Sequence, residues 1–270
     1  MEEQHVVELF LPYMRHLRGQ QKQRPIFIEA GGFNGIHESN TIHLQRCLGW
    51  AGLMVEAQPG SFGQLVANRP GVAALHTAIS AQCKPGSSVR FSARSDTSSA
   101  VYQKWMGHKG QKSVNVPCGP LQHYLDALHI RHTAFLSIDI EGNELEAVST
   151  IDWSRHSVGV MVIEELARAV TRTTAVRAYL RNHTRMVWVL RNCWDPKVCD
   201  SYFVDPEYVD VPGLLAANRT YNHGASKFKR QAEAVGAHRA NPKCFAQTPT
   251  PDPPPQHSER RTERGAGVSL

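Results

Sequence analysis

The sequence predicts a doubly wound α/β fold built on a mostly parallel β-sheet. Short β-branched apolar runs alternate with amphipathic stretches from about residue 25 to residue 205, which is the pattern of repeated βα units. The first apolar run leads directly into the glycine-rich segment EAGGFNG, and open α/β sheets bind their ligands at such strand ends. These observations place a candidate site at the carboxyl end of the first strand.

The alternation defines the predicted elements. Strands are expected at 25–30, 52–57, 72–79, 134–140, 158–165, 185–190 and 201–205. Helices are expected at 39–50, 61–69, 120–128, 143–151 and 174–182. Two extended segments, 87–94 and 113–118, interrupt the repeat, and we expect this small insertion to contribute to substrate specificity.

The chain divides into four predicted parts. These are an N-terminal helical extension (1–24), the α/β domain (25–210), a poorly defined extension (211–245) and a C-terminal tail (246–270). The tail is rich in proline and charge, so it has too little apolar surface to bury and is expected to be disordered.

The composition argues against a membrane-spanning or nucleic-acid-binding protein. The longest apolar run, 158–163, is far shorter than the roughly 20 residues of a spanning helix. The N-terminus lacks a secretory signal pattern, so we expect a soluble cytoplasmic protein. The net charge is +6, but residues 1–210 carry 21 Lys and Arg against 20 Asp and Glu, so the excess lies in the C-terminal part. Because phosphate binding requires clustered cations, no nucleic-acid partner is expected.

The six cysteines are scattered and include no CxxC pair or Cys/His set at zinc spacing, so no metal site is expected. They are Cys47, Cys83, Cys118, Cys193, Cys199 and Cys244. Only Cys193 and Cys199 are close enough in sequence to close a small loop. Since a disulfide requires an oxidising compartment, the sequence favours free thiols.

A glycine turn and an acidic residue form the first candidate site. Gly31, Gly32 and Gly35 would let the backbone turn sharply and approach a ligand closely. Glu56 ends the next predicted strand, 21 residues after Gly35, which is the spacing at which an acid accepts hydrogen bonds from ribose hydroxyls in nucleotide-binding βαβ units. The glycine spacing differs from GxGxxG, which disfavours a nicotinamide-dependent oxidoreductase.

A second group of acidic residues lies in LSIDIEGNELEAV, 136–148. Asp139 ends a buried strand, Glu141 follows it, and Glu144 lies at the start of a helix. Acidic residues in the first helical turn are also favoured by the helix dipole, so a capping role stays open for Glu141 and Glu144. Asp139 is the first candidate for orienting or deprotonating a substrate hydroxyl, with Glu141 beside it.

Five segments, in this order, resemble the FkbM family of O-methyltransferases. They are FIEAGGFNG, GWAGLMVEAQP, TAIS, FLSIDIEGNELEAV and VIEE. The resemblance spans about residues 25–165, and LSIDIEG is its most specific part. Ser137 stands where the family commonly has lysine, and Glu29 stands where aspartate is usual.

The resemblance implies a Rossmann-like class I methyltransferase whose cofactor is S-adenosyl-L-methionine and whose acceptor is a hydroxyl of a sugar, glycan or small metabolite. Glu29, Gly31, Gly32 and Gly35 would then line the methionine end of the cofactor, and Glu56 would hold its ribose. Ala78 and Ile79 would contact the adenine.

The resemblance also implies candidates for the acceptor side of the site. Ser98 and Ser99 resemble a serine pair that precedes the inserted strand of the family, and Glu164 in VIEE is a further substrate candidate.

The alternative to an active enzyme is a catalytically inactive methyltransferase-like binding or scaffold protein, because a fold does not determine a function. The oligomeric state stays open.

Overall fold

The computed structural model describes residues 9–15, 24–92, 113–166, 170–195 and 198–218. Ten strands are described, namely β1 (Ile26–Ala30), β2 (Ala51–Glu56), β3 (Ala73–His76), β4 (Ala78–Ile79), β5 (Ser87–Ser92), β6 (Ser113–Gly119), β7 (His132–Ile138), β8 (Ser157–Leu166), β9 (Val187–Asp195) and β10 (Val198–Val204). The α-helices of the same ranges are α1 (Ile42–Arg46), α2 (Pro59–Asn68), α3 (Leu121–Ala127), α4 (Glu144–Ser149), α5 (Val170–His183) and α6 (Val211–Asn218). Leu11–Tyr13 forms a 3₁₀ helix.

Seven strands form the central sheet in the order β3-β2-β1-β7-β8-β10-β9. Strands β3, β2, β1, β7 and β8 are parallel, and β10 is antiparallel to both of its neighbours. The strand order reverses between β1 and β7, which is the position where doubly wound sheets open a ligand crevice at their carboxyl edge. The predicted α/β fold class is confirmed.

Both faces of the sheet are covered, because the buried strands are apolar on both sides. One face packs against α3, α4 and α5 through residues such as Ile28, Leu136 and Ile163. The other packs Phe27 and Phe135 against α1, α2, α6 and the segment 9–15. Residues 9–15 fall in the predicted N-terminal extension, and Leu9, Phe10, Leu11 and Met14 are at most 2% exposed.

The predicted single strand 72–79 is wrong, because the chain leaves the central sheet at Thr77. The backbone N–H of Thr77 donates to Glu56 O at 3.1 Å, and its hydroxyl is 2.7 Å from the hydroxyl of Tyr124. Strand β4 then joins a second sheet of order β4-β6-β5. This small sheet thus combines β4 with β5 and β6, which arise from the two predicted extended segments.

The expectation of free thiols is also wrong. Cys83 is bonded to Cys118, Cys193 is bonded to Cys199, and Cys47 is disulfide-bonded as well. Cys83 and Cys118 are separated by 35 residues and meet because β6 pairs with both β4 and β5. Cys193 and Cys199 are partners across the β9–β10 hairpin. Sequence spacing alone could not reveal the first of these pairs.

We expect the two disulfides to stabilise the fold unequally, because the entropy of loop closure grows with the separation of the cysteines. Replacing both Cys83 and Cys118 by serine, across 35 residues, should lower the free energy of unfolding by about 4 kcal/mol. Replacing Cys193 and Cys199, across 6 residues, should lower it by about 2 kcal/mol. Urea denaturation of the two double variants measures the difference, and equal stability of both variants and the parent protein would contradict it.

Candidate active site

The turn after β1 brings the ends of three strands together. Gly31 has φ +89°, and a Cβ added to it would lie 1.6 Å from the carbonyl oxygen of Asp139. The N–H groups of Gly31 and Gly32 donate to Val55 O at 2.9 and 3.0 Å, and Asp139 N–H donates to Ala30 O at 3.0 Å. Glycine is therefore required here because β1 and β7 touch through their backbones.

The remaining glycines of the turn are also explained by close packing. A Cβ on Gly32 would lie 2.7 Å from Leu65 Cδ1, and one on Gly35 would lie 2.7 Å from Arg69 Cγ. Phe33, between them, has a positive φ of 44°, which is uncommon for a bulky residue and marks a strained backbone. The loop thus lies directly against α2.

Glu56 holds this strained turn from the end of β2. Its Oε2 accepts a hydrogen bond from Phe33 N–H at 2.8 Å, and its Oε1 accepts one from Gln58 N–H at 2.6 Å. Burial raises the pKa of Glu56, and these backbone donors partly oppose the increase. Since each carboxylate oxygen has more than one acceptor direction, the same group can also accept hydrogen bonds from a ligand.

Glu29 fixes the far end of the loop. Its carboxylate accepts hydrogen bonds from Asn40 N–H at 2.7 Å, Ser39 Oγ at 3.0 Å and Thr41 Oγ1 at 2.5 Å. Its pKa is raised by burial, while the charge of Arg69 acts in the opposite direction. Glu29 therefore contacts the loop that surrounds the site.

Arg69 is a component of the site that sequence reasoning missed. It is 2% exposed, and its guanidinium donates to Gly35 O at 3.0 Å, Ser39 Oγ at 2.8 Å and Thr41 Oγ1 at 3.1 Å. In the sequence it is the last residue of the predicted helix 61–69 and looks like an ordinary basic residue at a helix C-terminus. Only its position beneath the loop distinguishes it.

Asn40 carries a buried acceptor next to β7. Its side-chain amide donates to Ser137 Oγ at 3.0 Å, and the residue is 7% exposed. Within the described parts of the chain, its Oδ1 finds no hydrogen-bond donor. Buried acceptors without a hydrogen-bond donor are uncommon in proteins and call for an explanation.

Ala78 and Ile79 form β4 and are 4% and 5% exposed. They pair with Cys118 and Gly119 of β6. The backbone N–H of the preceding residue, Thr77, donates a hydrogen bond to the backbone oxygen of Glu56. The two predicted adenine contacts therefore lie just beyond the acid predicted to hold the ribose.

Asp139 follows β7 directly and lies among other acids. Its pKa is raised well above its usual range because the carboxyl is buried and because the charges of Glu164, Glu141 and Glu144 oppose its ionisation. Glu164 also shares a side-chain hydrogen bond with it. The structure thus brings the predicted catalytic and substrate carboxyl groups into one cluster.

Glu141 and Glu144 differ in their local roles. Glu144 Oε1 accepts a hydrogen bond from Gly142 N–H at 2.7 Å, which holds the turn before α4. Glu141 has φ 58° and is half-buried in that turn. Glu144 thus lies in the first turn of α4 and accepts from the backbone before it, while the charges of both Glu141 and Glu144 act on Asp139.

The sequence offers two further candidates. Ser98 and Ser99, predicted for the acceptor side, lie outside the described residues.

In the described ranges, no group of three or more His, Cys, Asp or Glu side chains is placed to hold a metal ion. Nor does any helix there combine the length and apolar character that a membrane crossing demands.

Comparison with solved structures finds methyltransferases of low sequence identity. The O-methyltransferase from Bacillus cereus, solved in complex with SAH, is 12% identical, with 75% of this chain and 78% of that chain covered and a TM-score of 0.42. A human methyltransferase 10 domain containing protein is 13% identical, with 70% and 77% covered and a TM-score of 0.41. Comparison with curated proteins finds no match.

The family comparison covers most of the α/β domain. The model of the methyltransferase FkbM domain matches residues 26–186, which include the glycine turn, Glu56, Asp139 and Glu164. The mostly parallel α/β sheet agrees with that match. The chain belongs to the FkbM methyltransferase family and is an S-adenosylmethionine-dependent methyltransferase.

Proposed function

We propose that this enzyme is an O-methyltransferase that methylates a hydroxyl group of a sugar or another small metabolite. The observation that carries the proposal is Asp139, a half-buried residue whose backbone contacts the glycine turn and whose carboxyl has a raised pKa. A carboxylate whose pKa is raised is a stronger base and is better suited to accept the proton of a hydroxyl nucleophile.

The residues present fit the cofactor by their chemistry. S-adenosylmethionine offers donors in its ribose hydroxyls and ammonium group, and it carries a positive sulfonium. The site supplies acceptors and negative charge in Glu56, Asp139 and the buried Oδ1 of Asn40. We assign Glu56 to the ribose, the turn containing Gly31, Gly32 and Gly35 to the methionine end, and Ala78 and Ile79 to the adenine.

When bound, the cofactor supplies an electrophilic methyl group. Asp139 would orient the acceptor hydroxyl and accept its proton as that hydroxyl is methylated. Glu164 and Glu141 raise the proton affinity of Asp139 by their charge. The chain's main contribution is to hold the acceptor in line for the displacement, since correct orientation lowers the barrier of such transfers substantially.

The disulfides favour an oxidising compartment over the cytoplasm expected from the sequence. Cytosolic thiols are kept reduced, whereas disulfides persist in secretory, periplasmic or extracellular settings. Cys47, Cys83, Cys118, Cys193 and Cys199 are all bonded. We therefore propose that the enzyme encounters its acceptor in such a compartment.

The glycine turn gives a test of the cofactor site. Gly31→Ala should abolish binding of S-adenosylhomocysteine, because the added Cβ meets Asp139 O at 1.6 Å and φ is +89°. Gly63→Ala is the matched control, since a Cβ there has no neighbour within 4 Å and alanine is the better helix former. Isothermal titration calorimetry measures both variants. Wild-type affinity in Gly31→Ala would contradict the placement of the cofactor at this turn.

Glu56→Ala should weaken binding of S-adenosylhomocysteine by about 1 to 3 kcal/mol, the range for losing hydrogen bonds to a buried charged partner. Glu56→Gln should have a smaller effect, because its amide oxygen still accepts. Ser39→Ala, which removes loop contacts to Glu29 and Arg69, controls for general loosening of the loop. If Glu56→Ala binds as tightly as the parent protein, the ribose assignment is wrong.

Asp139→Asn should bind S-adenosylmethionine but lose methyl transfer by about a hundredfold or more, the usual scale of general base catalysis. Turnover of the parent enzyme should fall as the pH drops through the raised pKa of Asp139, because the protonated carboxyl cannot accept a proton. Asp126→Asn, at an exposed ion pair with Arg131, is the control. Transfer of the radiolabelled methyl group at several pH values provides the measurement, and retained turnover in Asp139→Asn would refute the role.

A further inference from the structure

The acidic cluster belongs to a longer row across the carboxyl edge of the sheet. On β2, β1, β7 and β8, the last residues that these neighbouring strands pair with one another are in register across the sheet. The residues that directly follow them therefore form the next row across the sheet. On β10, Asp200 pairs with Glu164. The row is Glu56, Gly31, Asp139, Glu164 and Asp200.

These residues face the same side of the sheet, because neighbours in register point to the same face. Val162 and Tyr202, two positions from Glu164 and Asp200, belong to the core cluster on the face that α1, α2, α6 and the segment 9–15 cover, and Tyr202 stacks on Phe10 at 5.2 Å. Glu165 points to the opposite face, where its carboxylate binds Arg177 of α5 at 2.8 Å. Glu164 and Asp200 therefore lie on the same face as the glycine turn.

Asp200 reaches this edge because β10 runs against the other strands. Its N-terminal end lies beside the carboxyl end of β8, and the Cys193–Cys199 disulfide joins the preceding residue to β9. Asp200 is 5% exposed. With neighbouring strands about 4.8 Å apart, its backbone is about 10 Å from that of Asp139, on the side away from Glu56.

We infer that Asp200 is a specificity-determining residue for the acceptor, which carries several hydroxyl groups and no acidic group beside the methylated oxygen. This inference rests on the proposed O-methylation. If Glu56 holds the ribose and Asp139 faces the reacting hydroxyl, Glu164 and Asp200 continue the row beyond the reacting centre. Carboxyl groups accept hydrogen bonds from further hydroxyls of the acceptor, whereas they repel a carboxylate or phosphate.

Neutral and cationic acceptors fit this row better than anionic ones. The largest charges that act on Asp139 are those of Glu164, Glu141 and Glu144. An acceptor with a second anionic group would bring a further negative charge into this desolvated region, where charges interact more strongly than in water. The row therefore selects by charge, and its spacing favours an acceptor with more than one hydroxyl.

The test is methyl transfer from tritiated S-adenosylmethionine to probes that differ in charge. The probes are methyl glucoside, glucosamine, glucuronic acid, glucose 6-phosphate and catechol. The parent enzyme should methylate a neutral or cationic sugar in preference to its anionic counterparts. Asp200→Asn should raise KM for that sugar about tenfold, as expected for losing a hydrogen bond to a charged group, with kcat and S-adenosylhomocysteine affinity nearly unchanged.

Two further variants separate charge from shape. Asp200→Glu keeps the charge and should still discriminate against the anionic probes, whereas Asp200→Asn should accept them relatively better. Glu207→Gln, an exposed acid paired with Arg185 near the other end of β10, should behave as the parent enzyme. If Asp200→Asn proves too unstable to bind S-adenosylhomocysteine, the methyl-transfer kinetics of Asp200→Glu still test the role of Asp200.

The outcomes distinguish this inference from the proposed function. Unchanged KM and unchanged charge preference in the Asp200 variants would overturn the inference while leaving O-methylation intact, as would a parent enzyme that prefers the anionic sugars. A parent enzyme that binds S-adenosylhomocysteine but methylates none of the hydroxyl probes would overturn the proposed O-methylation and the role of Asp200 with it.

Discussion

Glu29 and Arg69, two buried groups of opposite charge, are linked by the hydroxyls of Ser39 and Thr41. Each hydroxyl donates to Glu29 Oε2, at 3.0 and 2.5 Å, and accepts from Arg69, at 2.8 and 3.1 Å. Removing one member of such an arrangement leaves a buried charge uncompensated, which is strongly destabilising. The loop from the glycine turn to α1 depends on this linkage for its conformation.

The same linkage explains how a strained loop is maintained beside the site. Phe33 and Glu38 have positive φ angles of 44° and 55°, which cost free energy in residues other than glycine. Glu56 holds Phe33 from β2, while Glu29 and Arg69 hold the distal part of the loop. Because these acids bind backbone donors within the protein, each has a structural role even where we also propose a role toward the cofactor.

The two adjacent glutamates of VIEE lie on opposite faces of the sheet. Glu165 is held by two arginines, at 2.8 and 3.0 Å, beside α5. Glu164, one residue earlier, points to the face that carries Asp139 and the glycine turn. This difference follows from the alternation of side chains along a strand, and it gives two adjacent glutamates in VIEE different environments.

The sequence by itself determined the α/β fold, the position of the glycine turn and the strand-end location of Glu56 and Asp139, because these depend on local periodicity and on residues that directly follow strands. Only the tertiary structure decided which residues, distant in sequence, lie beside the glycine turn and the strand-end acids. Arg69 is separated from Gly35 by 34 residues, and Asp200 comes from an antiparallel strand whose place in the sheet no local pattern specifies. The Cys83–Cys118 bond and the break at Thr77 likewise depend on the second sheet. Contacts between residues far apart in sequence are set by strand order and register, and a single sequence records neither directly.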